Sequence, residues 1–224
     1  MRIEGAIFDL DGTLMDSMFI WDNIGSEYLL SRGITPREDL NQTFKNMSLY
    51  QAALYYQSEY GLAESTDEIV NGVNQRIEHL YQNEVPVKKG VPELLYRLET
   101  HGIKMCIATA TDRHLAEAAL IRNNIRRYFG EIFTCHSIGH GKDEPHIFLT
   151  ALDYLKTPKS ATWIFEDALY AVKTAKNSGF PIVGIYDTSE NYADQVKALS
   201  DLYIHSFEEM EGYLNEESID DRRI

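Results

Sequence analysis

The stretch Ala6-Ile7-Phe8-Asp9-Leu10-Asp11-Gly12-Thr13-Leu14-Met15-Asp16-Ser17 decides how the rest of the chain is read. An apolar run ends in two aspartates one residue apart and then Gly-Thr, the pattern of a buried strand that delivers carboxylates into a turn. If both carboxylates face one cavity their charges repel, and a bound divalent cation offsets them. Asp-Gly dipeptides also make ordinary hairpin and loop turns. The rest of the chain must show whether Asp9 and Asp11 form a reactive edge.

A change of period organises that rest. From about Met18 to Glu84 the pattern is helical throughout, whereas before and after it short β-branched runs alternate with helices. In the helical part Met18, Trp21, Ile24, Tyr28 and Leu29 recur at helical spacing until Gly33, with Pro36 beyond. Two capping boxes follow, at Ser48-Leu49-Tyr50-Gln51 and Ser65-Thr66-Asp67-Glu68, with Gly61 placed to end the helix between them. Tyr50, Tyr55, Tyr56 and Trp21 can line a pocket, but aromatics on such helices more often form their core.

After Val87 the expected strands are Lys104–Ala108, Ile132–Cys135, Ala161–Phe165, Ile182–Tyr186 and Leu202–His205, with helices between them. Alternation at this spacing implies parallel βαβ units in a Rossmann-like, doubly wound α/β sheet. The expected organisation is a core of 1–16 and 87–224 with an all-helical domain, 17–86, inserted into it. Ligands of such sheets bind at the carboxyl ends of the strands, near the topological switch point.

The polar residues directly after the apolar runs are mutually coherent. Asp9 and Asp11 follow the first, Thr109-Ala110-Thr111 the second, Glu166-Asp167 the fourth, and Lys142 stands in the loop after the third. A carboxylate can attack phosphorus and carry the group covalently, a role for Asp9. Phosphoryl transfer needs a cation and hydrogen-bond donors around the phosphorus, which Lys142, Thr109 and the backbone amide at Ala110 can supply. Mg²⁺ takes one or two carboxylates, available from Asp9 and the Glu166-Asp167 pair. Asp11 can move the protons. Singly, each of these has a plain alternative as a turn, a helix cap or a solvated charge; together, in order at four strand ends, they point to Mg²⁺-dependent phosphoryl transfer.

The same residues resemble the motifs of the haloacid dehalogenase superfamily. Asp9-Leu10-Asp11-Gly12-Thr13 is similar to its D-x-D-G-T motif, in which the first aspartate is the nucleophile and the second the acid/base. Thr109 stands at the phosphate-binding Ser/Thr. Gly141-Lys142-Asp143-Glu144-Pro145-His146-Ile147-Phe148 resembles G-K-P-x-P-D-x-F, and Glu166-Asp167 the acidic motif. The resemblance implies a metal held by Asp9, the Asp11 backbone carbonyl and Asp167, with Glu166 a ligand or its close support. It also implies that the helical insertion is a cap of the kind found in β-phosphoglucomutases and phosphoglycolate phosphatases. Asp143, His146 and Lys89 depart from the usual Pro, Asp and Pro, and Ala168 from a common Ser, none of them a catalytic group. His140 and His146 lack metal-ligand spacing to each other or to cysteine and read as loop polar groups.

The insertion bears on the substrate. Between Ser17 and Pro86 four Lys plus Arg (Arg32, Arg37, Lys45 and Arg76) face ten Asp plus Glu. β-Phosphoglucomutases carry a histidine where Trp21 stands and an arginine in a nearby cap loop, where only Lys45 is available. A cap so poor in cations suits a small phosphomonoester and its hydrolysis better than a mutase that must hold a second phosphate. A phosphonatase would need a cap lysine for a Schiff base, and a haloacid dehalogenase would have no aspartate at position 11. A non-catalytic binding or regulatory module of the same fold is the alternative from another class.

Composition narrows the partners. Net charge is −14 over 224 residues, which opposes nucleic acid and anionic membranes. No apolar run approaches the ~18 residues of a membrane span, and Met1-Arg2-Ile3-Glu4 enters a strand with no signal-peptide pattern. A cytoplasmic monomer acting on a small phosphorylated metabolite is expected. Cys106 and Cys135 are too few for a disulfide framework and read as buried thiols.

Overall fold

A computed structural model describes residues 2–44, 47 and 49–214, apart from the side chains of 41 and 42. Ser48 of the first capping box, Lys45 and the charged segment 215–224 lie outside the described residues. The chain divides into two compact units, Met1–Asp16 with Pro86–Ile224, and Ser17–Val85.

The continuous unit is helical: α1 (Met18–Ser31), α2 (Leu40–Phe44), α3 (Leu49–Tyr60) and α4 (Thr66–Asn83). Ser65 caps α4 by accepting from the Glu68 amide while the Glu68 carboxylate accepts from the Ser65 amide, which satisfies two otherwise unpaired donors. Gly61 follows α3 with φ +67°, a left-handed position that ends a helix without Cβ strain. The core of this unit is built from Ile24, Tyr28, Leu29, Tyr56, Ile69, Val73 and Ile77. The buried Tyr56 hydroxyl donates to Gly25 O over 2.8 Å, so its polar tip is satisfied. Trp21 and Tyr50 are not core: they are 43% and 58% exposed. The buried stripe of α1 runs through Ile20, Ile24 and Tyr28, which turns Trp21 outward.

In the discontinuous unit β1 (Gly5–Phe8) comes before the helical insertion. After it follow α5 (Val91–Thr100), β2 (Lys104–Thr109), α6 (Arg113–Arg122), β3 (Ile132–Thr134), α7 (Cys135–Ile138) and α8 (His146–Leu155). β4 (Thr162–Glu166), α9 (Leu169–Asn177), β5 (Ile182–Ile185), α10 (Ala193–Leu199) and β6 (Leu202–Ile204) complete it. The six strands are all parallel in the order β3-β2-β1-β4-β5-β6. Chain order runs outward from β1 on one side and restarts at β4 on the other, so the switch point falls between β1 and β4.

All four residues of β1 are buried, as both faces of a parallel sheet must be. Ile7, Ala108 and Ile164 share a core with Ile147, Phe148 and Ala151 of α8. Phe8 points the other way and stacks on Phe165 at 4.3 Å, with Phe129 edge-on at 5.9 Å. The third strand ends at Thr134, one residue earlier than the sequence pattern suggests, because the Thr134 hydroxyl accepts from the Ser137 amide and starts a helix at Cys135. Cys135 is consequently half-buried, whereas Cys106 is fully buried. Among the described residues no helix is long and apolar enough to cross a membrane.

Candidate active site

Phe8 pairs with Ile107 on one side and Phe165 on the other, so the next residue, Asp9, leaves the sheet at the switch point beside Ala108 and Glu166. The chain then turns tightly: Met15 N donates to Leu10 O over 2.8 Å and Gly12 N to Met15 O over 3.0 Å. Gly12 sits at φ +79°, and a Cβ there would run into the Asp167 carboxylate. Asp11-Gly12 is therefore a turn and part of the acidic edge at once, because the turn is what brings the backbone against Asp167.

Four of the sequence-derived residues converge in a buried cluster. Asp9, Lys142, Glu166 and Asp167 are 7%, 3%, 1% and 4% exposed. The Lys142 ammonium contacts Asp9 Oδ1 and donates to Glu166 Oε2 over 2.9 Å. The other Glu166 oxygen accepts from the amides of Asp167 and Ala168 at 3.2 and 3.1 Å. Asp9, Glu166 and Asp167 each bring one carboxylate oxygen within 4.8 Å of the others. Asp11 is less buried, and its Oδ2 accepts from the Thr111 hydroxyl at 2.5 Å. Thr109 is fully buried at the end of β2. Its hydroxyl oxygen accepts from the Thr111 amide at 3.0 Å, which leaves its proton to donate. Ala110 stands between them, exposed.

Three buried carboxylates against one ammonium leave negative charge in excess. Burial, then Glu166, push the Asp9 carboxyl up to about 7, although Lys142 opposes them. Asp167 is raised by burial, Glu166 and Asp9, against the hydrogen bond from Thr13 and the charge of Lys88. Burial disfavours charge on Lys142, but Asp9 and Glu166 outweigh it and keep the ammonium protonated. A divalent cation among all-oxygen donors reverses the logic for the carboxylates and suits a hard ion such as Mg²⁺. The residues present fit such an ion.

Three contacts were not legible as functional in the sequence. Thr13 is fully buried, and its hydroxyl donates to Asp167 Oδ1 over 2.7 Å. Thr111 holds Asp11. Lys88 donates to Asp187 Oδ2 over 2.6 Å and to Tyr186 O over 2.9 Å, at the end of β5. The signal for the two threonines is position: Thr13 closes the D-x-D-G-T stretch and Thr111 stands two residues past the strand end at Thr109. His140 and His146, read as loop polar groups, are exposed on either side of Lys142. Gly139, with φ +80°, ends α7 and turns the loop back, and both imidazoles meet Glu144.

A phosphorylated carbohydrates phosphatase of Thermotoga maritima is 25% identical over 177 residues, covering 79% of this chain and 82% of that one. Hexitol phosphatase B of Escherichia coli is 24% identical over 211 residues, covering 93% and 95%. Among solved structures, a Thermotoga maritima protein described as a candidate beta-phosphoglucomutase superposes with a TM-score of 0.83 at 23% identity, over 95% of this chain and 98% of that one. Residues 6–185, a span that holds the switch point and the acidic cluster, match the model of the haloacid dehalogenase-like hydrolases, and the chain belongs to that family of enzymes.

Proposed function

We propose that this enzyme is a Mg²⁺-dependent phosphatase that hydrolyses a small phosphomonoester, of the sugar- or polyol-phosphate class, through an aspartyl-phosphate on Asp9. The observation that carries the reading is the buried cluster of Asp9, Glu166 and Asp167 around the Lys142 ammonium at the switch point. The substrate class is supported by relatives named as phosphatases of phosphorylated carbohydrates, hexitols and 6-phosphogluconate.

In this reading the Asp9 carboxylate attacks phosphorus, forming a P–O bond to Asp9 as the bond to the leaving alcohol oxygen breaks. Asp11, oriented by Thr111, gives that oxygen a proton and then takes one from the water that attacks the phosphorus, so that phosphate leaves and Asp9 is regenerated. Lys142, the Thr109 hydroxyl and the Ala110 amide hold the phosphoryl oxygens. Asp9, Asp167 and the Asp11 backbone carbonyl would hold the metal, which supplies charge neutralisation at those oxygens. Both Glu166 oxygens are engaged by Lys142 and backbone amides, which suits it to orienting the lysine.

We assign the helical unit the role of a substrate-selecting cap. Its described cations are already matched: Arg32 with Glu64 at 2.9 Å, Arg37 with Glu59 at 3.2 Å and Arg76 with Glu27 at 3.1 Å. Such a unit has little to offer a second phosphate, which favours hydrolysis over a mutase. The enzyme would act as a cytoplasmic monomer.

Turnover of p-nitrophenyl phosphate with Mg²⁺, its loss on chelation and its loss in Asp9→Asn are the expected results. Full activity in Asp9→Asn would sink the covalent mechanism, and conversion of β-glucose 1-phosphate to glucose 6-phosphate would restore the mutase. A panel of sugar, polyol and glycolate phosphates then identifies the substrate.

A further inference from the structure

The loop that sends Lys142 into the buried cluster turns its neighbours outward. His140, Glu144 and His146 have side chains 43%, 51% and 48% exposed. His140 Nδ1 lies 3.1 Å, and His146 Nε2 3.2 Å, from one and the same oxygen, Glu144 Oε2. The two imidazole rings lie with centroids 4.0 Å apart, tilted by 33°. One ligand atom from each of the three side chains falls within 4.8 Å of the other two.

Exposed ion pairs of this kind contribute at most about 1 kcal/mol, so pairing with Glu144 alone does little to hold the two rings together. Two imidazole nitrogens and a carboxylate oxygen are a donor set that one cation can share. The dimensions agree as well. Zinc binds imidazole nitrogen at about 2.0–2.1 Å and carboxylate oxygen at about 2.0–2.2 Å in a tetrahedron, which places neighbouring ligand atoms about 3.3–3.5 Å apart. The two separations to Glu144 Oε2 are within a few tenths of an ångström of that edge. The donor set also separates this group from the all-oxygen cluster at Asp9. Imidazole nitrogen selects zinc, nickel or copper, whereas carboxylates and water suit magnesium.

We propose that His140, Glu144 and His146 form a second metal site for a zinc-class ion, with the remaining coordination position taken by water. The ligands bracket Lys142 in sequence, at two residues before it and two and four after it. An ion held there braces the backbone on both sides of the lysine that reaches Asp9 and Glu166.

The test is a titration of the whole protein, in saturating Mg²⁺, with Zn²⁺ against a chromophoric chelator. One zinc per chain is expected, with affinity falling at least ~10-fold in the His140→Asn/His146→Asn double variant and in Glu144→Gln. Asp167→Asn should bind zinc as the wild type does. Amide hydrogen exchange should slow on zinc addition across residues 139–146 in the wild type and not in the double variant. These side chains are exposed, so an unchanged zinc-free melting temperature will show that the variants fold. Absence of saturable zinc uptake, equal affinity in the double variant, or a loss that follows Asp167→Asn instead would overturn the proposal.

Discussion

Thr13 Oγ1 donates to Asp167 Oδ1 over 2.7 Å, joining the turn after β1 to the end of β4 across 154 residues of sequence. Both residues are buried, and the bond fixes one carboxylate of the acidic cluster. Thr13→Val keeps the shape and removes the donor. Groups that orient a metal ligand typically contribute 10–100-fold in affinity or activity. The Mg²⁺ concentration for half-maximal activity should therefore rise at least ~10-fold in Thr13→Val, while Thr13→Ser stays near wild type. An unchanged Mg²⁺ titration would show that the bond serves stability alone.

Lys142 is the sole cation in contact with Asp9 and Glu166 among the described residues. Lys142→Met removes the ammonium and leaves three buried carboxylates facing one another. A fall of ~10²–10³-fold in kcat is expected, the usual effect of removing one charge-stabilising donor. Lys142→Arg should not rescue it, because the planar guanidinium is larger and distributes its charge differently. Steady-state kinetics with p-nitrophenyl phosphate decide the matter.

Gly12 combines a left-handed backbone with close approach to Asp167. Gly12→Ala should lower stability by about 1–2 kcal/mol from backbone strain and displace the Asp167 carboxylate, with activity lost beyond what the stability change explains. Urea unfolding beside kinetics at saturating Mg²⁺ measures both.

Asp187 is 5% exposed and paired with Lys88. Burial would raise its carboxyl, but hydrogen bonds from Lys88 and Ser189 outweigh burial and hold it below the usual carboxylate range. With the folded pKa depressed, the unfolded chain binds the proton more readily. The stabilisation is then complete above the ordinary aspartate value of about 3.9 and is lost as pH falls through the folded pKa. Asp187→Asn should cost about 1.5–3 kcal/mol near pH 7, with the gap to wild type closing below about pH 4. Denaturant unfolding across pH reads this directly; a gap independent of pH would remove Asp187 as its source.

Ligands that bind only the native state stabilise by mass action. Mg²⁺ at 100 times its dissociation constant should add about 2.7 kcal/mol to the wild type and raise its melting temperature. Asp167→Ala should show no such rise. An equal shift in both proteins would place the ion elsewhere.

Much of the site was legible because strand ends announce themselves. Apolar runs stopping at Asp9, Thr109 and Glu166 can be read from period and polarity alone, and parallel topology sends those ends to one edge. Local chemistry was legible for the same reason at the Ser65 capping box and Gly61, where partners lie within a few residues. It failed at Cys135, where a threonine cap outcompeted one more strand residue, and at Trp21, which the buried stripe through Ile20, Ile24 and Tyr28 leaves exposed.

From sequence alone came the fold class, the helical insertion after Ser17 and the residue types of an acidic, lysine-bearing site, since each depends on periodicity or on neighbours in the chain. Tertiary structure decided the partners. Thr13 with Asp167, Thr111 with Asp11, Lys88 with Asp187 and the two imidazoles on Glu144 are set by distance and orientation in space. Hydrogen bonds and ion pairs act over about 3–4 Å, and for the first three pairs the sequence separation, 99 residues or more, carries no record of that approach.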